Sequence, residues 1–351
     1  MNIEKLLISE NLTIRDALKK LDETGRRILL ITESEVLKAV ITDGDIRRWI
    51  LKNGDLNVPV KAIMNCSPIT LTDETKYLAK TVMKEKVIEA IPILDKHGEL
   101  KSIIFWNEDE DMRLKERIEI NNPVVIMAGG LGTRLYPYTK ILPKPLIPVG
   151  DTPIIERIIN KFNQVGCNNF YLTVNYKKNM IKSYFNEIEK DYNIFYVEES
   201  KPLGTGGSLS LLEDKINETF FLTNCDIIVN SDYQQILRYH KENKNLITVV
   251  TAVKNFVIPY GVIKLKENGL IDSVKEKPEY SFLTNTGFYV IEPEVIKDIP
   301  KDIYYNLPDI ISRYISENKK VGVYPISEKS WMDMGQLDEL EDMKRRLGVT
   351  E

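Results

Sequence analysis

From residue 124 onward the chain alternates between short apolar runs and stretches in which apolar residues recur every three or four positions. The runs are Val124–Ala128, Phe170–Val174, Ile194–Val197 and Phe220–Asn224. Segments 153–165 and 177–189 carry the helical spacing, with Pro153 near a first turn, and a further helix is expected to open near Gly207. Strands separated by helices predict a mostly parallel sheet covered on both faces. From about residue 246 the pattern changes to strand after strand, in LITVVTAV, YGVIKL, LIDSVKE and NTGFYVI, before helical spacing returns at 308–318 and 337–347. The expected architecture is an open α/β sheet carrying an antiparallel excursion.

The first 105 residues obey another rule. TIRDALKKLDETGRRILLIT (13–32) matches TKYLAKTVMKEKVIEAIPIL (75–94), and each copy reads as an amphipathic helix and then a strand, Ile28–Ile31 and Ala90–Leu94. A polar turn and a second strand come next in each, at 38–42 and 101–105. Neither copy can bury its apolar face alone, so the two should pack together. Residues 107–122, dense in charge and nearly free of large apolar groups, mark the boundary between the repeat and the α/β half of the chain.

Composition narrows the function. The chain has 351 residues, enough for two or three domains, and a net charge of −4 spread without a basic stripe. That argues against nucleic acid or a membrane surface as partner. Three cysteines in unrelated contexts make no disulfide framework, and two histidines make a histidine-based metal cluster or a Ser/His triad a poor expectation. With no apolar run long enough to span a bilayer and no signal-peptide shape, a cytoplasmic protein is expected.

The chemistry concentrates in VVIMAGGLGTRLYPYTKILPKPLIPVG, residues 124–150. Ligands of open parallel sheets sit beyond the carboxyl ends of the strands. There the chain places Gly129, Gly130, Gly132, Thr133 and Arg134, and ten residues on Lys144 between two prolines. Glycines let backbone N–H groups approach an anion, Arg134 offers a planar fork for phosphate oxygens, and the prolines fix where the lysine is delivered. This describes a polyphosphate cradle. It lacks the third glycine of a dinucleotide fingerprint and the G-K-[ST] of a P-loop. Asp226, after the strand FFLTN, and Asp333, in WMDMG, are hard oxygen ligands of the kind Mg²⁺ takes beside phosphate.

Two family resemblances gather these features. AVITDGDIRR (39–48) makes the N-terminal half resemble a tandem pair of CBS domains, 1–58 and 59–115, in which Thr42 and Asp45 would hold an adenine nucleotide. The second copy has Phe105 and Glu108 at those places, and a module that only packs or dimerises is an equal reading. After a linker at 116–121, residues 122–351 resemble the sugar-1-phosphate nucleotidyltransferases. The segments carrying the likeness are AGGLGTRLYPYTKILPKPLIPV, PLGTGGSL, TNCD, YGVI, EKP, NTG and WMDMG, in that order. The expected fold is therefore α/β, a tandem CBS pair and then a Rossmann-like, mixed-sheet nucleotidyltransferase (GT-A-like) domain.

That resemblance implies roles. Gly130, Leu131, Gly132 and Thr133 would line the nucleotide together with Gly204 and Thr205; Arg134 and Lys144 would act on the phosphates; Asp226 and Asp333 would hold Mg²⁺. Gly261, Glu276 and Asn285 would bind sugar hydroxyls and Lys277 the sugar phosphate. A sugar 1-phosphate would attack the α-phosphorus in line and expel pyrophosphate, and because the nucleophile is largely dianionic near neutrality no general base is needed. Glu198 and Glu199 precede the PLGTGG loop, where family members for uracil or thymine commonly present glutamine. A carboxylate can accept both N1–H and N2–H₂ of guanine, whereas uracil has one N–H donor, so GTP is favoured over UTP or dTTP. The fusion is similar to the glucosamine-1-phosphate guanylyltransferases of bacterial legionaminic-acid synthesis, with mannose and heptose 1-phosphates still open. The resemblance also implies a homo-oligomer. A nucleotide-sensing scaffold with an inactive transferase half is the alternative from another class.

Overall fold

The computed structural model describes residues 3–106 and 120–349. It divides into two compact units, 1–117 and 118–351. Most of the charged boundary segment, with the linker residues up to 119 and Glu108, lies outside the described residues.

In the first unit, α1 (Ile14–Thr24) opens where the Thr13 side chain accepts the Asp16 N–H and stops at Gly25, whose φ of 63° only glycine adopts without strain. β1 (Ile28–Glu33) pairs antiparallel with β2 (Val36–Thr42), and α2 (Asp43–Leu51) comes next. The second copy supplies β3 (Leu71–Thr72), α3 (Ala79–Lys86), β4 (Ala90–Leu94) and β5 (Leu100–Phe105) in a three-stranded sheet. Arg27 Nη1 donates to Glu89 Oε1 at 2.8 Å, joining the two copies at positions 62 residues apart. The guanidinium of Arg26 lies 4.2 Å from the ring centroid of Phe105.

The second unit is built on a seven-stranded sheet. Its strands are β6 (Val124–Met127), β9 (Asn169–Val174), β10 (Asn193–Glu198), β11 (Phe220–Asn224), β13 (Ile247–Val257), β16 (Glu279–Ile291) and β17 (Val321–Ser327). The spatial order is β10-β9-β6-β11-β16-β13-β17, and β16 alone runs antiparallel to its neighbours. Short strands β7 (Pro148–Val149) and β8 (Thr152–Pro153) pair beside it, as do β12 (Ile227–Val229) with β18 (Trp331–Asp333) and β14 (Val262–Leu265) with β15 (Ile271–Lys275). The helices are α4 (Tyr138–Ile141), α5 (Ile154–Asn163), α6 (Lys178–Glu187), α7 (Gly204–Gly207), α8 (Tyr233–Glu242), α9 (Glu294–Lys297), α10 (Leu307–Ser316) and α11 (Leu337–Leu347).

Two apolar clusters cover the sheet faces. On one, α5 buries Ile154, Ile155, Ile158, Ile159 and Phe162 as a single stripe. Phe162 meets Phe221, Tyr233 and Phe288 at centroid distances of 5.4, 4.6 and 5.6 Å, tying α5 and α8 to the central strands. Aromatic pairs of this kind add about 1 kcal/mol each beyond their buried area.

Several elements depart from the sequence expectation. β17 is a strand that periodicity did not suggest, because Pro325 interrupts it; at the sheet edge a proline forfeits no ladder bond that the fold needs. The helix expected near Gly207 is one turn from Gly204, continued by a 3-10 turn through Leu212, since glycines propagate a helix poorly. YGVIKL and LIDSVKE pair with each other outside the main sheet.

At the end of β11 away from Asp226 lies a buried polar network. His240 Nδ1 is 2.8 Å from Thr248 Oγ1 and its Nε2 2.9 Å from Glu292 Oε1, while Thr219 Oγ1 donates to Glu292. Burial pushes the imidazole pKa below its ordinary value, against the opposing pull of Glu292. The unfolded chain therefore takes the proton first, and this contribution to stability is present above the ordinary value of 6.5 and lost as pH falls through the folded value. We expect His240→Gln to flatten the acid-side slope of stability relative to wild type, read by thermal denaturation across the range from neutrality to about pH 5.

Candidate functional site

The carboxyl ends of β6 and β11 lie side by side, with Met127 opposite Asn224. The chain leaves β6 through Gly129 and Gly130 and turns at Gly132, where φ is 65° and a Cβ would lie 2.9 Å from Thr139 and 3.0 Å from Lys144. Only glycine fits there. The Thr139 hydroxyl donates to the Gly132 carbonyl at 2.8 Å and fixes the turn. Leu131, Thr133 and Arg134 beyond it are exposed.

Lys144 begins a 3-10 turn between Pro143 and Pro145, and its ammonium is ion-paired with Asp226 Oδ2, both side chains being largely buried. Asp226 lies just past the end of β11. The β12–β18 pairing sets Ile227 opposite Asp333, and the Met334 N–H donates to the Asp226 carbonyl at 2.8 Å. Two carboxylates 107 residues apart in sequence are thereby brought to one place. Burial, then repulsion from Asp226 and Glu339, pushes the Asp333 pKa up to about 6, although Lys144 and Arg134 oppose the shift. Asp333 Oδ1 is buried and has no hydrogen-bond partner. An orphaned carboxylate oxygen beside a second carboxylate fits a hard cation. Among the described residues no group of three or more His, Cys, Asp or Glu converges, so such a cation would complete its shell with phosphate oxygens and water.

The two glutamates expected near the base separate. Glu198, at the end of β10, is held by Lys178 and Lys182, whose hydrogen bonds and charge pull its pKa down to about 2. Glu199 is buried. Its Oε2 accepts the Leu203 N–H at 3.2 Å, and its Oε1 lies 2.8 Å from where a Cβ on Gly129 would stand. Burial pushes its pKa up. The Asn175 Nδ2 donates to the Glu199 carbonyl at 2.9 Å and holds the strand end in place.

Gly204 and Thr205 have a structural role in the contacts they make. Gly206 and Gly207 both donate to the Tyr305 carbonyl at 2.8 Å, a Cβ on Gly204 would lie 2.7 Å from that oxygen, and Thr205 Oγ1 accepts the Leu307 N–H at 3.1 Å. Asn285 donates to the Tyr289 hydroxyl at 2.7 Å and accepts the Gly287 N–H at 3.0 Å, and Gly287 packs against Asn224 at the end of β11. Gly261 and Glu276 meet each other, Oε2 being 3.0 Å from the position of a Gly261 Cβ, and Lys277 has a φ of 42°. In the first unit Thr42 and Asp45 form a reciprocal capping box on α2, with Arg48 paired to Asp45.

Sequence reasoning missed Asn175, Glu339 and Tyr289. Asn224 stands inside the TNCD segment but carries no signal that separates it from its neighbours. Glu339 reads in sequence as an ordinary acid in the first turn of α11, and only the structure puts its Oε2, with Asp333, against the bare face of Gly335.

Comparison with known proteins finds likenesses to both units of the chain. A family model described as Nucleotidyl transferase matches residues 123–348, and one described as CBS domain matches residues 1–52. The mannose-1-phosphate guanyltransferase of Saccharomyces cerevisiae is 34% identical over 226 residues, covering 60% of this chain and 61% of its own length. That of Emericella nidulans is 34% identical over 225 residues, with 60% of each chain covered. The chain thus spans about three fifths of the length of these curated relatives. Among solved structures, HddC from Yersinia pseudotuberculosis superposes with a TM-score of 0.52 at 21% identity, covering 64% of this chain and 99% of that one. The same protein complexed with GMP-PN gives 0.51 at 22% identity, over 64% of this chain and 99% of that one. At these identities the likeness is one of fold.

The raised pKa of Asp333 has a measurable sign. The folded chain holds that proton more tightly than the unfolded chain, so ionisation costs stability as pH rises from 3.8 to about 6, and the whole cost remains above that. Asp333→Asn should therefore stabilise the substrate-free protein near pH 8 by on the order of 1 kcal/mol, the half-screened site discounting the full shift. The gain should shrink near pH 4, while turnover is lost; paired melting curves and activity measurements check both.

Proposed function

We propose a substrate pair for a chain that belongs to the nucleotidyl transferase family: GTP and a sugar 1-phosphate, joined to a GDP-sugar with release of pyrophosphate. The observation that carries the reading is Glu199, buried at the glycine turn with one oxygen held by Leu203 and the other facing Gly129. A fixed carboxylate there can accept from both N1–H and N2–H₂ of guanine. Glu198, occupied by two lysines, is not the base reader. The relatives named mannose-1-phosphate guanyltransferase support the same base.

A sugar-phosphate oxygen attacks the α-phosphorus while the bond to the bridging oxygen of the β-phosphate breaks and pyrophosphate departs. Glycine N–H groups and Arg134 neutralise phosphate charge, and Lys144 exchanges Asp226 for phosphate oxygens. Asp226 and Asp333 would hold Mg²⁺, which when bound supplies positive charge to the phosphate oxygens. Asn285, braced by Tyr289 and Gly287, and the paired Gly261 and Glu276 would position sugar hydroxyls, with Lys277 on the sugar phosphate.

Glucosamine 1-phosphate is the acceptor that the CBS–transferase fusion favours. Mannose 1-phosphate is the second reading, favoured by the relatives' names. An adenine nucleotide at Thr42 and Asp45 would regulate only by binding two states of the enzyme unequally.

Pyrophosphate release in Mg²⁺, with five nucleoside triphosphates crossed against glucosamine, mannose and glucose 1-phosphates, tests the reading. GTP should be the substrate, with kcat/KM falling about 100-fold in Glu199→Gln, as expected when a site built to pair a donor loses its acceptor. Glu198→Gln, which disturbs only exposed ion pairs, should stay within about twofold of wild type. Turnover confined to another triphosphate would overturn the guanine assignment.

A further inference from the structure

Asn175, Tyr176 and Lys177 make the turn from β9 into α6, and their side chains reach two ways. On one side the Asn175 amide donates to the Glu199 carbonyl at 2.9 Å, and the Glu199 N–H donates to the Val174 carbonyl at 3.0 Å. On the other, the Tyr176 hydroxyl donates to the Thr139 carbonyl at 3.2 Å, and Lys177 Nζ donates to the carbonyls of Lys140 and Ile141 at 2.5 and 2.6 Å. Three successive carbonyls of α4 are thus taken by two adjacent residues of one turn. A helix end leaves such carbonyls without partners, and a helix this short cannot hold itself together in water.

Lys177 has φ 50° and ψ 32°, a left-handed conformation that glycine adopts freely and lysine only with strain. Strain of this kind persists where surrounding contacts fix it, and here the fixing contacts are those of the lysine's own ammonium. That ammonium also lies 5.3 Å from the centroid of the Tyr176 ring, so the two side chains hold each other.

What α4 carries in the chain is the phosphate end of the site. Arg134 precedes it and Lys144 follows it. The Thr139 hydroxyl, donating to the Gly132 carbonyl at 2.8 Å, passes the restraint on to the glycine turn. A nucleotide bridges the two sides, base toward Glu199 and phosphates toward Arg134 and Lys144. The spacing of those sides governs how well the phosphates are met.

We propose that Asn175-Tyr176-Lys177 is a positioning turn that sets the distance between the base reader and the phosphate cradle, with Tyr176 and Lys177 clamping α4 so that Arg134 and Lys144 stand where the triphosphate arrives. This role rests on the nucleotide reading of the site. The three residues act through those they hold, not on the reacting atoms.

Equilibrium binding to the full chain in Mg²⁺, without a sugar phosphate, tests the turn by comparing GTP with GMP. Lys177→Met keeps the apolar stem and loses the donors. It should weaken GTP about tenfold and GMP no more than about twofold, because the outer phosphates are what lose well-placed partners. Tyr176→Phe removes one hydroxyl and no charge; it should shift the GTP-to-GMP ratio in the same direction, and it decides the matter if the first variant fails to fold. Lys182→Met takes one positive charge from α6, where it pairs with Glu198, and should leave the ratio within about twofold of wild type. In turnover, Lys177→Met should lower kcat about tenfold with KM for the sugar 1-phosphate little changed.

A Lys177→Met protein with a lowered melting temperature but a wild-type ratio would make the turn merely structural and overturn the proposal. Equal weakening of both nucleotides would do the same, as would an equal loss in Lys182→Met, which would assign the effect to long-range charge. The ratio of triphosphate to monophosphate is read on whichever nucleoside the wild type binds. A wrong base therefore sinks the guanine assignment and leaves the turn to be judged separately, whereas a wild type that binds no nucleoside triphosphate overturns both.

Discussion

Asp226 and Asp333 repel each other, and much of the second unit serves to hold them together regardless. The β12–β18 pairing and the bond from Met334 to the Asp226 carbonyl fix the backbones, so both carboxylates are carried at one place. Lys144 answers part of the charge, from a turn stiffened on both sides by proline. What remains unanswered is visible in Asp333, whose proton is held up to about pH 6 and whose buried oxygen has no partner. A polypeptide that stores unfavourable charge in its folded state is poised to bind positive charge, and that is the tension the proposed Mg²⁺ would relieve.

The topology explains why the site can be that demanding. Four parallel strands end at one edge, so the glycine turn after β6, Glu199 after β10 and Asp226 after β11 are presented by rigid elements. Beneath them the Phe162, Phe221, Tyr233 and Phe288 cluster locks helices to strands. At the far edge the His240 network closes the other ends of β11, β13 and β16 with matched donors and acceptors.

Much of this was legible in the sequence. Alternation gave the parallel core, and the order of the motifs placed glycines, Arg134, Lys144, Asp226 and Asp333 near one another. Periodicity could not find β17, because a proline in an edge strand looks like a break. Nor could it choose between Glu198 and Glu199: adjacent glutamates are identical in sequence, and only the lysines of α6 and the burial beside Gly129 distinguish them. Glu339 was invisible because its meaning depends on where α11 begins relative to Asp333. Thr42 and Asp45 show the reverse case, a ligand motif whose residues are also fully explained by capping a helix.

The bridge between Arg27 and Glu89 has a consequence for how the halves of the first unit meet. The two residues stand 62 positions apart, the offset at which the two segments match, so they occupy corresponding places. Two identical halves meeting at such a place would set arginine against arginine or glutamate against glutamate, and like charges there would push the halves apart. Because the halves differ in sequence, opposite charges stand there instead and the contact is attractive.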